Sequence, residues 1–174
     1  MPEANIPTGI NQADVDRVAR AHPKLGSLAK GRHRTVLIQP NTADRGVPAE
    51  ANQVIVGLYD YEQNHSVIAV VDVKAMEVVA VEDAIAPFQL SQEEREEAEA
   101  LAAEDDRVKA FLGPRNMNPL TRLYFPPDGI RYDRAHRFAI VFVRPNSAER
   151  QYAVIDLSQR QVIDVLTRHD LTGR

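Results

Sequence analysis

The chain contains the stretch SVIAVVDVKAMEVVAV at Ser66–Val81 and, 84 residues later, a second copy, RQYAVIDLSQRQVIDV, at Arg150–Val165. Five of the sixteen aligned positions are identical without a gap, and three more keep their apolar character. Each copy has two β-branched arms around a polar tetrad, Lys74–Glu77 or Ser158–Gln161, and this pattern is typical of a β-hairpin. The repeat therefore predicts a duplicated unit and a fold of two related halves.

The residues before the first hairpin predict a helix and two more strands. The helix is expected at about Gln12–Ala21, after a capping signal at Asn11, and a second short helix is possible over Pro23–Ala29. The strands are expected at Thr35–Gln39 and Val54–Tyr61. One helix against one face of four antiparallel strands gives an α+β layer pair.

The second half repeats this order. Ser91 and Glu94 form a capping signal for its helix, and strands are expected at Leu120–Phe125 and Arg137–Arg144, before the second hairpin.

We therefore expect two α+β units, residues 10–84 and 88–171, each with one helix packed on a four-stranded antiparallel sheet. The repeat extends upstream of the hairpin, because Asp105–Val108 aligns with His22–Leu25 at an offset of 83, with one insertion or deletion.

Composition excludes several classes of function. The net charge of −4 gives no basic footprint for nucleic acid, and the absence of cysteine excludes disulfides, thiolate catalysis and cysteine metal sites. No apolar run approaches the roughly 18 residues of a membrane-spanning helix. The first residues, MPEANIPTG, lack the basic and apolar regions of a signal peptide, so a cytoplasmic location is expected.

The stretch VVDVKAMEVVAVEDAIAPFQLSQEEREEAEALAAEDDRVKAFL, residues 70–112, resembles the junction between the second and third N-terminal domains of copper amine oxidases. In that family, too, a strand pair around a DL…GEVV run is followed by a proline-containing linker and an acidic helix ending near DPRV. Tyr152–Val165 resembles the same hairpin, so the resemblance covers most of residues 10–166. It implies two cystatin-like α+β units that flank a catalytic β-sandwich and do not carry its chemistry.

The catalytic residues of that family have no counterpart here. Its cofactor forms from the tyrosine of an Asn-Tyr-Asp/Glu motif, but Tyr59, Tyr61 and Tyr132 each precede an acidic residue without following an asparagine. Its copper ligands include a His-x-His pair, which is absent among the five histidines, His22, His33, His65, His136 and His169. The resemblance therefore assigns no catalytic, cofactor-binding or metal-binding residue, and we expect a protein without a cofactor that is not an enzyme.

Two pairs of polar residues are candidate sites. Asp72 and Asp156 recur at one position of the repeat, and a role as acceptors for backbone N–H groups of the following turn is favoured over a catalytic pair. Asp133 and His136 are three residues apart, but the surrounding sequence reads as a turn entering a strand. Residues at that spacing in a strand point to opposite faces, so chance polar loop residues are favoured.

Three further charged groups are interpreted as structural or solvated. His65 with Glu62 and Asp60 could form a weak cation site in a loop, which is disfavoured. The basic cluster Lys30–Arg34 is expected to be a solvated loop rather than a phosphate site. A run of glutamates on the second helix is expected to form a solvated face; it comprises Glu93, Glu94, Glu96, Glu97 and Glu99.

Three functions follow as hypotheses. The first is a non-catalytic interaction or scaffold protein that contacts a protein partner, or a second copy of itself, through an exposed sheet. The second is an accessory fragment or split subunit of a copper and topaquinone primary-amine oxidase. The third is a cystatin-like protein that binds a small ligand between helix and sheet.

Overall fold

The computed structural model describes residues 11–25, 31–41, 52–84, 87–127, 132–133, 135–167 and 170. The chain divides into two compact units, Met1–Phe88 and Gln89–Arg174. Each unit contains a four-stranded antiparallel sheet and at least one helix that packs on it. The prediction of α+β units is therefore confirmed. Within the described residues, no helix is long and apolar enough to cross a membrane.

The first unit has one α-helix and four strands in chain order. They are α1 (Gln12–Arg20), β1 (His33–Pro40), β2 (Gln53–Asp60), β3 (His65–Asp72) and β4 (Glu77–Asp83), with the sheet order β1-β2-β3-β4. β1 is longer than predicted. The possible second helix is a single 3-10 turn at Pro23–Leu25, and residues 26–30 lie outside the described part of the chain.

The core of the first unit lies between α1 and one face of the sheet. Asn11 caps α1 by accepting a hydrogen bond from the backbone N–H of Ala13 at 3.0 Å. Val15 and Ala19, one helical turn apart, are fully buried against alternate residues of β2 and β3. The buried strand residues of this cluster are Val54, Val56, Leu58, Val67, Ala69 and Val71.

The face of the first sheet that is turned away from α1, called the outer face, has a gap in its own side chains at Gly57. A Cβ atom on Gly57 would lie 2.8 Å from Cε2 of Phe88 and 3.1 Å from Cβ of Leu37. The ring of Phe88, which follows the sheet in sequence, therefore occupies the space that a side chain on β2 would need.

The second unit has two α-helices where one was predicted. Its elements are α2 (Gln92–Glu104), α3 (Asp106–Leu112), β5 (Leu120–Tyr124), β6 (Phe138–Phe142), β7 (Gln151–Asp156) and β8 (Gln161–Thr167), with the sheet order β5-β6-β7-β8.

The additional helix, α3, has its own start and stop signals. The side chain of Asp105 accepts hydrogen bonds from the backbone N–H groups of Arg107 and Val108, at 2.9 and 3.4 Å, and so caps the helix. Gly113, with φ of 54°, ends it. The prediction of one helix was wrong here because a single residue, Asp105, both ends α2 and begins α3.

The duplicated hairpin forms the third and fourth strands of each sheet. Asp72 is the last residue of β3 and Asp156 the last residue of β7, so the prediction that they occupy like elements is confirmed. Both fourth strands also carry a β-bulge at the same place in the repeat. Val79 is the extra residue on β4 and Ile163 the extra residue on β8.

The turns of the two hairpins lie one residue earlier than predicted. They span residues 73–76 and 157–160, and not Lys74–Glu77 and Ser158–Gln161. The last turn residue has a positive φ in both, 53° at Met76 and 58° at Arg160. Neither residue type favours that conformation, so nothing in the local sequence indicates it.

The predicted buried positions of the hairpins are confirmed in part. Val71, Val154 and Ile155 are fully buried, whereas Ile68 and Val70 are only half-buried. Val70 and Val154 occupy the same position of the repeat on the outer faces of the two sheets, so their different burial distinguishes the two units.

Candidate functional site

Asp72 and Asp156 accept hydrogen bonds from the turns that follow them. Asp72 Oδ1 accepts from the backbone N–H groups of Lys74 and Ala75, at 2.8 and 3.0 Å, and Asp156 Oδ1 accepts from that of Gln159 at 2.9 Å. The N–H groups of Ala75 and Lys74 lower the pKa of Asp72, because they stabilise its charged form. The structural interpretation of this recurring aspartate is therefore confirmed.

Asp156 has a second partner that the sequence did not indicate. Nδ1 of His136 lies 2.7 Å from Asp156 Oδ2, and Nε2 of the same ring lies 3.7 Å from Asp133 Oδ2. The interpretation of His136 as a chance loop residue is therefore wrong. His136 and Asp156 belong to two different candidate pairs, and they meet because Asp156, at the end of β7, lies beside the loop that precedes β6.

Tyr132, in the same loop, is bound to the last strand. Its hydroxyl donates a hydrogen bond to Asp164 Oδ2 at 3.0 Å, and its ring lies 5.7 Å from that of Phe138. Burial raises the pKa of Tyr132 well above its ordinary value, and the hydrogen bond to Asp164 raises it further. We call Tyr132, His136, Asp156 and Asp164 the loop cluster.

The contacts of the loop cluster are those of a structural attachment. A carboxylate on one nitrogen of a histidine can orient the ring for proton transfer. Here, however, the same carboxylate of Asp156 also closes the β7–β8 turn, and Tyr132 is protonated and directed at a strand residue. The loop cluster thus attaches Tyr132 and His136 to strands β7 and β8 of the second sheet.

Glu94 and Arg137 form a buried ion pair in the second unit. Arg137 Nε donates to Glu94 Oε1 at 2.7 Å and Arg137 Nη2 to Glu94 Oε2 at 3.1 Å, with side-chain exposures of 2% and 0%. Arg137 also donates to the carbonyl oxygen of Gln89 at 3.2 Å. The two-point geometry and the extra acceptor compensate for the desolvation of both charges.

Glu94 has a second role at the start of α2. Its Oε2 accepts from the backbone N–H of Ser91 at 2.8 Å, and Ser91 Oγ accepts from the N–H of Glu94 at 3.1 Å. The predicted capping box is therefore confirmed. One carboxylate thus begins the helix and attaches it to Arg137, immediately before β6.

The prediction of a solvated glutamate face on α2 is confirmed for Glu93 and Glu96, which are exposed, and was wrong for the other three glutamates. Besides Glu94, Glu97 Oε1 accepts from Arg160 Nε and Glu99 Oε1 from the hydroxyl of Thr121, both at 2.6 Å. The prediction failed because the apolar stripe of α2 is formed by small alanines, so glutamates beside it can reach the sheet.

The proposed weak cation site does not form at His65. Nε2 of His65 lies 3.0 Å from Asp83 Oδ1, on the neighbouring strand β4. Asp60 Oδ1 instead accepts from the backbone N–H groups of Glu62 and Gln63, at 2.8 and 3.2 Å. Asp60 is therefore a turn acceptor like Asp72.

The basic cluster at residues 30–34 is only partly the solvated loop that was predicted. Lys30 lies outside the described residues, whereas His33 and Arg34 begin β1. Nε2 of His33 lies 2.6 Å from Arg20 Nη1, and the guanidinium of Arg32 lies 4.2 Å from the centre of the Tyr61 ring. These contacts attach the start of β1 to its own unit.

The described residues contain no group of three or more histidine, aspartate or glutamate side chains placed to hold a metal ion. His22 Nδ1 accepts from the backbone N–H of Lys24 at 3.3 Å, and His169 lies outside the described chain. The expectation that no copper-ligand residue of the amine oxidases can be assigned here stays a prediction.

Comparison with known proteins assigns no family. No protein-family model matches the chain, and no curated protein matches it significantly. The resemblance to the accessory domains of copper amine oxidases therefore stays a hypothesis that rests on the hairpin, linker and helix residues.

Proposed function

We propose that this protein is a non-catalytic interaction or scaffold protein, made of two cystatin-like units of the kind that accompany the catalytic domain of copper amine oxidases. The observation that carries the proposal is the structural role of the aspartate that recurs in the repeat. In both copies of the repeat, Asp72 and Asp156, the carboxylate closes a turn of the fold.

The other side chains with the capacity for chemistry support the same proposal. Glu94 and Arg137 neutralise each other in the interior, and His136 and Tyr132 hold a loop on a sheet. A catalytic group has to reach a substrate, whereas each of these groups is directed at another part of its own unit. Their placement favours a protein that acts through its surface.

Exposed apolar side chains support a contact role. The large apolar residues with exposures from 37% to 65% are Met76, Val79, Leu120 and Phe125. Each lies on or next to a strand at the edge of a sheet. Edge strands offer unpaired backbone groups to a partner, and apolar residues beside them add buried area on association.

The small-ligand hypothesis has less support. The interior between α1 and the first sheet is formed by apolar side chains that are at most 6% exposed. Ligand sites usually combine apolar walls with a few polar groups that fix orientation, and this cluster provides none.

The proposal is tested against the amine-oxidase alternative by measuring copper and turnover on the intact chain. We expect no stoichiometric copper in equilibrium dialysis at neutral pH and no peroxide release from primary amines above the buffer control. Exposed histidines bind copper weakly, so the affinity has to be measured. One tightly held copper per chain, or turnover, would favour the split-subunit hypothesis.

The interaction role itself is tested by immobilising the chain and capturing partners from an extract of the native organism. Each captured candidate is then purified and tested for binding to the chain. A partner that binds in a saturable one-to-one manner supports the proposal. Failure of every captured candidate to bind after purification would remove it.

A further inference from the structure

We propose that the edge of β5 (Leu120–Tyr124) that pairs with no described strand binds an extended segment of a partner protein by strand addition, with an acidic residue of that segment opposite Arg122. This inference rests on the proposed interaction role and names the surface that performs it. It follows from a comparison of the strands at the sheet edges, from the side chains of β5 and from their charge.

Three of the four edge strands of the described sheets are interrupted. The extra bulge residue lies on the edge strand each time, namely Val36 on β1, Val79 on β4 and Ile163 on β8. A bulge twists an edge and breaks the regular spacing of its free N–H and C=O groups, which hinders pairing with another chain.

β5 has no such interruption. Its five residues pair with β6 in unbroken register, from Leu120 opposite Phe142 to Tyr124 opposite Phe138. Alternate backbone groups of a regular edge strand point away from the sheet at even spacing, so they can accept a further strand without distortion. Among the four edges, β5 is therefore the one with the backbone geometry for strand addition.

The side chains of β5 define what this strand would bind. Thr121 is buried on the face of the sheet that packs on α2, where its hydroxyl donates a hydrogen bond to Glu99. Because side chains alternate between the two faces of a strand, Leu120, Arg122 and Tyr124 share the outer face. Leu120 is 39% exposed, and Arg122 is exposed without an ion pair to any described carboxylate. Phe125, directly after the strand, is 65% exposed.

These side chains favour one partner pattern. A residue opposite Arg122 has its Cβ within about 5.5 Å of it, where opposite charges attract. The residues two positions away on either side lie against Leu120 and Tyr124. The partner segment therefore has an acidic residue between two apolar residues at a spacing of two, and this pattern reads the same in either strand direction.

A second copy of the chain fits this edge less well. In a symmetric antiparallel pair of β5 strands, the full five-residue register places the two Arg122 side chains opposite each other, and like charges in that position repel. Registers shifted to avoid this contact pair only the residues from Leu120 to Arg122 or from Arg122 to Tyr124. An acidic extended segment of another protein is thus the occupant that the charges favour.

The test uses nitrogen-15-labelled intact chain and two short peptides. In one, valine and threonine alternate around a central glutamate; in the other, lysine replaces the glutamate. We expect the glutamate peptide to shift and protect alternate β5 amides saturably and to leave the β4 amides unchanged. The lysine peptide should bind about tenfold more weakly, the effect of replacing an attractive cross-strand pair by a repulsive one.

The charge-reversal variant Arg122→Glu provides the matched control, because Arg122 is exposed and its replacement leaves the buried face intact. We expect the preference to invert, so that the variant binds the lysine peptide more tightly. Equal binding of both peptides by the natural chain, or amide changes at β4 in place of β5, would overturn the inference.

The same variant separates this inference from the proposed function. If a reconstituted partner binds the natural chain and Arg122→Glu equally well, the interaction role stands and the assignment to β5 is wrong. If the partner binds only the natural chain, while the variant keeps the amide spectrum of its folded core, both stand.

Discussion

The two units share a framework, but their helices are attached to their sheets by polar groups that are only partly the same. In the first unit, Arg20 Nε lies 2.8 Å from Asp16 Oδ2, and the side chain of Arg20 is 36% exposed. The guanidinium of Arg20 also donates to Thr35 Oγ1 at 2.8 Å and contacts the ring of His33. The attachments of the second unit include the buried ion pair Glu94–Arg137. Both units keep the turn aspartate and a hydrogen bond from a threonine of the first strand to an acidic residue of the helix, whereas the other polar attachments differ.

This difference has an energetic consequence. Exposed ion pairs contribute at most about 1 kcal/mol, because water screens them and the long side chains lose entropy. Removal of one partner of a buried pair leaves an uncompensated charge in the interior, which costs about 3–5 kcal/mol. We therefore expect the second unit to be the more sensitive of the two to a single charge deletion.

The largest expected effect is that of Glu94→Ala. It removes the partner of Arg137 and the capping box of α2, so the free energy of unfolding of the second unit should fall by about 3–5 kcal/mol. Hydrogen exchange resolved by segment, during urea titration, measures each unit by itself. The first unit should be unchanged.

Two variants make this comparison specific. Glu96→Ala changes an exposed glutamate of the same helix and should stay within about 0.5 kcal/mol of the natural chain. The double variant Glu94→Met with Arg137→Met should recover much of the loss, because it leaves no unpaired charge. A small effect of Glu94→Ala would show that the buried pair does not distinguish the units.

The next effect compares Val70 and Val154, which occupy one position of the repeat. Val154 is fully buried, so Val154→Ala should cost about 2 kcal/mol through the loss of two methyl groups and the resulting cavity. Val70 is half-buried, so Val70→Ala should cost less than half as much. Denaturation midpoints of the two single variants measure the ratio. Equal costs would contradict the burial difference.

The third effect concerns Gly57. Gly57 pairs with Ile68 on the neighbouring strand. At the same position of the repeat in the second unit, Phe142 pairs with Tyr152, so the second unit has a phenylalanine where the first has a glycine. Phe88 occupies the vacant place, and Gly57→Ala would bring a Cβ to 2.8 Å from its ring. The substitution should cost at least about 1 kcal/mol.

The double variant Gly57→Ala with Phe88→Ala tests that reason. The new methyl group then has no ring to meet, so the two changes together should cost less than the sum of the two single changes. Strict additivity, measured by urea titration of the first unit, would mean that the Phe88 ring moves aside freely.

The sequence predicted the parts of the fold that depend on local pattern. The hairpin repeat, the aspartate at its strand end and the Ser91 capping box all rest on neighbouring residues, and all were found. The turn position was missed because Met76 and Arg160 adopt a positive φ without a glycine or asparagine to indicate it.

The contacts of the candidate site depend on distant residues. Glu94 and Arg137 are 43 positions apart, and His136 and Asp156 are 20 apart, so neither pair has a spacing signal. A signal for α3 did exist, namely the capping aspartate Asp105 and the terminal Gly113. This signal was missed because the two helices meet without a loop, so the acidic run of α2 leads directly into it.

The smallest effect concerns the turn aspartate Asp72 at low pH. The backbone N–H groups of Ala75 and Lys74 lower the pKa of Asp72 from its ordinary value of 3.8. A carboxylate with a lowered pKa stabilises the fold above the unfolded value, and this contribution is lost as the pH falls through the folded value. Asp72→Asn should therefore destabilise the first unit at pH 7, and the difference from the natural chain should shrink below about pH 4.

Glu77→Gln, at the exposed residue opposite Asp72 across the turn, controls for a change of charge alone and should show no such pH dependence. Segment-resolved hydrogen exchange of the hairpin at neutral and acidic pH, corrected for intrinsic exchange rates, measures both variants. A cost of Asp72→Asn that is equal at both pH values would mean that the shape of the side chain, and not its charge, closes the turn.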